Sequence, residues 1–321
     1  MKIAIVGCGA LGSYYGALLQ RAGEDVHFLL RSDYDVVRQN GVFIHSVDGD
    51  FRAQPKCART PEEIGVCDAV FIALKTTANG QFPKLLPPLV GKQTVVVTLQ
   101  NGLGNEEQLA KLFPAEQVMG GLCFVCLNRT APGVVEHMAH GKVVLGEFQR
   151  PPQPRTHELV GLFRRAGVSC EATENLARTH WEKLVWNIPF NGLGVAGIAG
   201  YKTFATAGAP PAGRCDVLTT DKLLGDEHWT QLVRELMLET IATANALGLG
   251  VSTALAEKQI ARTRTMGAYK ASTLIDFERR QPLELETMFL EPLRQAQKAS
   301  LPTPRLARLC EVLKALNPVS S

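Results

Sequence analysis

The sequence has no long hydrophobic run, little net charge and no paired cysteine framework, and each absence closes off a class of function. Its most apolar long stretch, residues 185–200, is interrupted by Asn187, Pro189 and Asn191. It falls short of the ~20 residues that a membrane-spanning helix needs, so no membrane partner is expected. Thirty-four Lys and Arg against thirty-one Asp and Glu leave a net charge of +3. That is too mild for a nucleic-acid binder but suits a small anionic ligand. The eight cysteines (Cys8, Cys57, Cys67, Cys123, Cys126, Cys170, Cys215 and Cys310) are scattered through mostly apolar segments, which argues against a disulfide scaffold. Cys123 and Cys126 form a C-x-x-C inside an apolar run with no second ligand pair, and read as core. His137 and His140 read as a strand end and turn, so no metal site is expected. No leader peptide is expected either, because the first apolar stretch, residues 3–6, is itself strand-like. No internal repeat is visible. These absences leave a reduced, cytoplasmic, soluble protein with a small-molecule substrate.

The 321 residues suit about two domains. Residues 2–6 form an apolar run bounded by glycine, which predicts a buried parallel strand. Residues 10–22 carry apolar side chains at helical spacing and stop at Gly23. Strands follow at 25–30, 68–74 and 94–99. Residues 42–46 and 50–53 form a hairpin through Asp48-Gly49, and helical material lies at 80–90 and 105–112. Strands at 117–127, 134–137 and 142–145 then have short connections, so the sheet turns partly antiparallel. A helix at 157–166 and a strand at 168–172 close this half. From about residue 174 only helices are predicted, at 174–188, 227–247, 252–264, 267–279, 284–299 and 303–315, with 203–226 as a long loop. The fold class is α/β: a Rossmann-type doubly wound sheet followed by a mostly α-helical C-terminal domain. The domains are 1–173 and 174–321.

Between the first strand and first helix stands Gly7-Cys8-Gly9-Ala10-Leu11-Gly12, a G-x-G-x-x-G in the context that gives the motif meaning. Gly7 permits the tight turn, Gly9 lets the backbone approach a pyrophosphate, and Gly12 lets the helix pack close to the sheet. The helix N-terminus offers free N–H groups to the phosphates. The second strand ends on Leu30-Arg31-Ser32 where an NAD enzyme carries an acid. A carboxylate would repel a 2′-phosphate, whereas arginine pairs with it, so the cofactor is read as NADP(H). The competing reading of Arg31 is an ordinary solvated arginine. Asp33 lies just past the decisive position. Lys75 and Asn101 follow two further strands and should face the same crevice, because ligands of open α/β sheets bind beyond the carboxyl ends of the strands.

Lys183, Asn187 and Asn191 are spaced four apart, on one face of a helix that is otherwise apolar around Trp181, Leu184, Val185, Trp186, Ile188 and Phe190. Such a stripe either faces solvent or needs polar partners in a cleft. Pro189 should distort the helix between the asparagines. A reductase of a ketone needs a proton donor at the oxygen, and a lysine can serve if partial burial brings its pKa toward neutrality.

The ordered set Gly7–Gly12, Leu74-Lys75-Thr-Thr, Gln100-Asn101-Gly-Leu-Gly104, Trp181-Glu-Lys183-Leu-Val-Trp-Asn187-Ile-Pro-Phe-Asn191, and Ala271-Ser272 followed by Glu284 resembles the ketopantoate reductase family over essentially the whole chain. The resemblance implies NADPH-dependent reduction of 2-dehydropantoate, a 2-oxo acid, to pantoate, a step toward coenzyme A. It implies that Lys183 is the general acid and that Asn187 and Asn191 hold the lysine and the substrate's hydroxyl end. It further implies that Ser272 binds the substrate carboxylate, that Glu284 meets the nicotinamide ribose and substrate, and that Asn101 bridges cofactor and substrate. Lys75 and Arg31 would contact the phosphorylated adenosine half, and the backbone near Cys126 would line the nicotinamide pocket. The site would lie in the cleft between the domains. A homodimer is expected by analogy only. By its residues alone, Glu284 is a carboxylate after Pro282 that nothing separates from Glu286. The glycine-rich segment 192–200 and the length of loop 203–226 depart from the family pattern and bear on which 2-oxo acid is taken. The alternatives are reduction of a different 2-oxo acid, a non-catalytic NADP-binding regulator, or an NAD-linked dehydrogenase. The regulator's signature would be loss of the lysine or the glutamate, and both are present.

Overall fold

The computed structural model describes residues 1–205 and 216–317. The chain divides into two compact units. The first holds Met1–Asn101 and Asn105–Leu176, the second Gly102–Gly104 and Ala177–Ser321.

The first unit is built on ten strands: β1 (Lys2–Val6), β2 (Asp25–Leu29), β3 (Val42–Ser46), β4 (Phe51–Ala53), β5 (Lys56–Ala58), β6 (Cys67–Ile72), β7 (Val90–Thr98), β8 (Val118–Ala131), β9 (Val134–Glu147) and β10 (Cys170–Ala172). Their order is β4-β3-β9-β8-β7-β6-β1-β2-β5, with β10 beside β9. From β8 through to β5 every pairing is parallel, whereas β8 and β9 form a long antiparallel pair. The helices of this unit are α1 (Ala10–Arg21), α2 (Tyr34–Asn40), α3 (Pro61–Ile64), α4 (Phe82–Leu85), α5 (Asn105–Leu109) and α6 (Pro154–Arg165).

Side chains along a strand alternate between its faces, and here both faces are apolar. Ile3, Ile5, Ala69 and Phe71 join one core with Tyr15 of α1 and Phe163 of α6. Ala4, Val6, Val70 and Ile72 join the other with Phe82 and Leu109. A sheet covered on both sides is the doubly wound arrangement expected from its continuous apolar runs.

Several elements differ from the sequence expectation. The two short strands at 134–137 and 142–145 are one strand, β9. The apparent break is a bulge, where the register slips between Phe124/Lys142 and Val125/His140, with His140 at φ +67° and Gly141 at φ +134°. His137 is therefore a buried strand residue, 2% exposed, rather than a strand end. The expected helix at 80–90 is a 3₁₀ turn (Thr76–Gln81), the short α4 and a second 3₁₀ turn (Pro87–Leu89), because Pro83, Pro87 and Pro88 lack the N–H groups a longer helix needs.

At the end of β9, the fully buried Glu147 carboxylate accepts hydrogen bonds from Arg150 Nη2 (2.9 Å), Arg155 Nη2 (2.6 Å) and Thr156 Oγ1 (2.6 Å). Burial alone would push its pKa up, but the bonds from Arg155, Thr156 and Arg150 more than offset it and hold it below the usual range. A depressed folded-state pKa contributes stability above the unfolded value and loses it as pH falls through the folded one. Glu147→Gln should therefore cost about 3 kcal/mol at neutral pH, the low end for breaking a buried pair because the arginines stay partly hydrated. The gap to the parent should narrow below about pH 4, where free carboxylates are protonated. Denaturant unfolding of both proteins across that range checks this, and a gap that does not vary with pH would refute it.

Among its described residues the second unit has helices as its only regular elements: α7 (which starts in the first unit, Leu176–Ala196), α8 (Lys202–Ala205), α9 (Thr220–Gly225), α10 (Glu227–Ala246), α11 (Ala254–Arg264), α12 (Ser272–Glu278), α13 (Glu291–Lys298) and α14 (Pro304–Leu316). Loop 203–226 thus contains the end of α8 and all of α9, and its residues 206–215 lie outside the described set. The helix expected at 284–299 begins instead with a π-helical turn, Glu286–Leu290, that runs into α13. Pro189 does not end α7. Ile188, Phe190, Leu193 and Val195 are all essentially buried around it, and this packing outweighs the hydrogen bond that proline forfeits. The glycines that follow serve close approach. A Cβ on Gly192 would sit 2.6 Å from Leu309 of α14, and one on Gly197 2.5 Å from Leu218. No described helix is long and apolar enough to cross a membrane.

Candidate active site

Strand register determines what the first unit presents. Ala58, Leu29, Val6, Ile72 and Thr98 pair side by side across β5, β2, β1, β6 and β7. The segments that follow them leave the sheet at one edge: Arg59, Leu30-Arg31, Gly7, Ala73-Leu74-Lys75 and Leu99-Gln100-Asn101. Residues that are scattered along the sequence therefore share the edge where this architecture binds ligands.

The glycine turn is shaped as its spacing requires. Gly7 has φ +102°, and a Cβ there would lie 2.3 Å from the Leu74 backbone nitrogen. A Cβ on Gly12 would lie 2.3 Å from the Gly7 carbonyl oxygen, whereas one on Gly9 would meet nothing within 4 Å. Two of the glycines are thus demanded by the protein's own packing, and the third leaves space open beside the turn. Gly9 caps α1 with no side-chain hydrogen bond, so no side chain competes for that helix's first N–H groups. The Cys8 thiol donates to the carbonyls of Ile5 (3.5 Å) and Leu29 (3.6 Å). Burial raises its pKa well above the usual thiol value, so the turn carries no thiolate that would repel an anion. Ala10 and Leu11 form the first turn of α1.

Beyond β2, Arg31 is exposed. Asp33 is buried, accepts from Ser32 Oγ (2.8 Å) and is ion-paired with Arg129 near the far end of β8. Lys75 is exposed at the start of the 3₁₀ turn after β6. Cys126 lies on β8, opposite Ala139 of β9, and is 8% exposed.

Sequence reasoning missed a buried polar network at this edge. Gln100 Nε2 donates to the Leu74 carbonyl (2.9 Å) and to Asn79 Oδ1 (2.7 Å). Asn79 Nδ2 donates to Asn105 Oδ1 (2.9 Å), and Asn105 Nδ2 to the Asn101 carbonyl (3.1 Å). These amides fix the backbone beside Lys75 and at Asn101. Arg59 was missed too. It follows a three-residue strand, pairs with Asp35 (2.7 and 2.9 Å) and lies over the Tyr34 ring at 4.0 Å.

In the second unit, Lys183 is half-buried on α7, while Asn187 and Asn191 are 7% and 2% exposed. The asparagine end of the stripe is thus not a solvent face. Asn191 Oδ1 accepts from Ser272 Oγ (3.2 Å) and from the Thr273 backbone N–H (3.0 Å). Two candidate residues 81 positions apart are in contact at the start of α12. Glu284 is buried just before the π-helical turn, whereas Glu286 is exposed and paired with Arg294, which separates the two carboxylates that the sequence left equivalent. At that turn the Thr287 carbonyl accepts from Leu103 N–H (2.9 Å), and a Cβ on Gly102 would overlap the Thr287 backbone at 2.5 Å.

Residues 3–150 match the family described as "Ketopantoate reductase PanE/ApbA", and residues 203–317 match its C-terminal counterpart. A 2-dehydropantoate 2-reductase from Nostoc sp. is 39% identical, covering 98% of this chain and 95% of that one. The chain belongs to the ketopantoate reductase family. It is accordingly a member of an oxidoreductase family. A solved 2-dehydropantoate 2-reductase from Geobacter metallireducens GS-15 is 44% identical, superimposes with a TM-score of 0.90, and is covered to 99% by 98% of this chain. The fold extends further. D-mandelate dehydrogenase, solved with NADH and anilino(oxo)acetate, is only 19% identical yet has a TM-score of 0.85 over 98% of each chain. Within the ketopantoate reductase family the contact between Asn191 and Ser272 gains a reading, since it ties the polar stripe of α7 to the residue expected at the substrate carboxylate.

Proposed function

We propose that this chain reduces 2-dehydropantoate to pantoate with NADPH. The full-length likeness to chains named 2-dehydropantoate 2-reductase carries the substrate assignment. A dinucleotide fits the residues present: the space beside Gly9 is open, the α1 N-terminus has no side-chain cap, and Cys8 is neutral. The 2′-phosphate reading draws support from Asp33, whose carboxylate is occupied by Arg129 and Ser32. Arg31 and Lys75 are the exposed cations proposed to hold that phosphate.

When bound, NADPH would supply the hydride that the substrate's C2 accepts. Lys183 gives a proton to the C2 oxygen as negative charge develops there. Asn187 and Asn191 orient the lysine and the hydroxyl end of the substrate, and Ser272 binds its carboxylate. Glu284 would meet the nicotinamide ribose and the substrate, Asn101 would contact both cofactor and substrate, and the backbone near Cys126 would line the nicotinamide pocket. Fixing the substrate at its carboxylate turns a chance encounter into a positioned reaction, which is where much of the rate gain arises. The residues proposed for the dinucleotide's phosphates belong to the first unit, and Lys183, Asn187, Asn191 and Ser272, proposed for the substrate, to the second. Seven described cysteines are all free thiols, in keeping with a reducing, cytoplasmic setting.

Purified protein should oxidise NADPH in the presence of 2-dehydropantoate, and faster than with other 2-oxo acids in a panel. Turnover of a different acid alone would move the substrate assignment. No turnover with any of them would remove the reductase reading.

A further inference from the structure

The loop after β2 contains the very group that should spoil a site for a phosphorylated cofactor. A carboxylate there is how this fold takes the unphosphorylated dinucleotide, by accepting from the ribose 2′-hydroxyl, and it would repel a 2′-phosphate. Asp33 brings a carboxylate just past that position, two residues after Arg31. Its side chain is only 7% exposed and is held by Arg129 and Ser32 Oγ. The next acid, Asp35, is bound through both oxygens by Arg59. Both carboxylates that follow Arg31, Asp33 in the loop and Asp35 in the first turn of α2, are thus paired by an arginine from a different strand end, one after β5 and the other on β8.

We propose that Arg129 is a specificity-determining residue that acts through Asp33. By neutralising and immobilising this carboxylate, it leaves Arg31 to face the 2′-phosphate without an opposing charge. The proposal rests on the NADPH reading above. It assigns Arg129 no contact with the reacting atoms, and therefore no part in catalysis. It also differs from a purely structural staple between β8 and the β2–α2 loop, for which breaking the pair from either side would be equivalent. In the specificity role the two sides are opposite. Removing the arginine frees a negative charge, whereas removing the acid does not.

The test is the ratio of NADH to NADPH dissociation constants, read from cofactor fluorescence without substrate, for the parent, Arg129→Gln, Asp33→Asn and the double variant. Arg129→Gln should lower the preference for NADPH by about tenfold, the scale of one close, partly screened like charge. Asp33→Asn should leave the preference intact, and adding it to Arg129→Gln should restore it. Arg129→Lys, which keeps the charge, should retain most of it. Equal losses in the two single variants would overturn the proposal in favour of the staple. Equal losses in Arg129→Gln and the double variant would overturn it in favour of direct phosphate contact by Arg129. An unchanged Arg129→Gln would overturn it outright. The parent ratio reports separately on the underlying reading: a parent that binds both cofactors alike overturns the NADPH reading, and this proposal falls with it.

Discussion

Lys183→Ala should lower kcat by about 10²–10⁴-fold, the range for losing a positioned general acid, or roughly 3–5 kcal/mol of barrier. NADPH affinity should stay near that of the parent, because the residues proposed to hold the cofactor's phosphates belong to the β1, β2 and β6 ends. Lysine has two separable functions here, attraction of an anionic acid and delivery of a proton. Lys183→Arg divides them. A guanidinium keeps the charge but does not release a proton near neutral pH. Arginine should therefore rescue much of the KM for 2-dehydropantoate and little of kcat. Steady-state kinetics on both variants decides the matter. Full turnover in Lys183→Ala would remove the proposed mechanism, and rescue of kcat by arginine would reduce Lys183 to a binding residue.

The reading of Lys183 began from sequence because its signal is local. Three polar residues at four-residue spacing in an apolar helix mark a face whatever surrounds it. The glycine turn is legible for the same reason, since strand, turn and helix are contiguous. What the sequence does not disclose is mostly contact between distant segments. Asn191 meets Ser272 across 81 positions, and no periodicity could have brought them together; only the family resemblance placed both at the substrate. Glu284 and Glu286 are interchangeable on paper and become distinct only when one is buried and the other reaches Arg294. The amide network of Asn79, Gln100 and Asn105 leaves no periodic pattern, because Asn79 lies more than twenty positions from the other two and meets them only in the fold. Short elements were lost differently. β5 has three residues, Lys56-Cys57-Ala58, too few to show alternation, so Arg59 went unnoticed at its end. The bulge in β9 imitates a chain break because His140 and Gly141 resemble turn residues. Pro189 shows what a local rule leaves open, since the rule marks a weak point and only tertiary burial decides that the helix continues through it.

Gly9→Val should weaken NADPH binding by about a hundredfold or more, a loss near 3 kcal/mol, while leaving unfolding almost unchanged. Gly7→Val should damage both. The contrast follows from what each glycine faces. At Gly9 the backbone is extended, φ −75° and ψ −153°, with none of the positive φ that makes Gly7 intolerant of a side chain, and an added Cβ meets no protein atom within 4 Å. The added bulk would occupy the space through which a pyrophosphate must approach the turn, so its cost should appear only when cofactor binds. At Gly7 the φ of +102° is one that a β-branched residue resists, and the Cβ would overlap the backbone of Ala73 and Leu74. Strain and overpacking of this kind cost about 1–3 kcal/mol each, and they act on the folded protein before any ligand arrives. Thermal unfolding without cofactor should therefore separate the variants, and fluorescence titration should show both binding poorly. If Gly9→Val binds NADPH like its parent, the pyrophosphate does not lie at this turn, and the cofactor must be placed elsewhere along the sheet edge. If instead Gly9→Val unfolds as readily as Gly7→Val, the turn is an ordinary packing device. The open space beside it would then carry no claim on a phosphate.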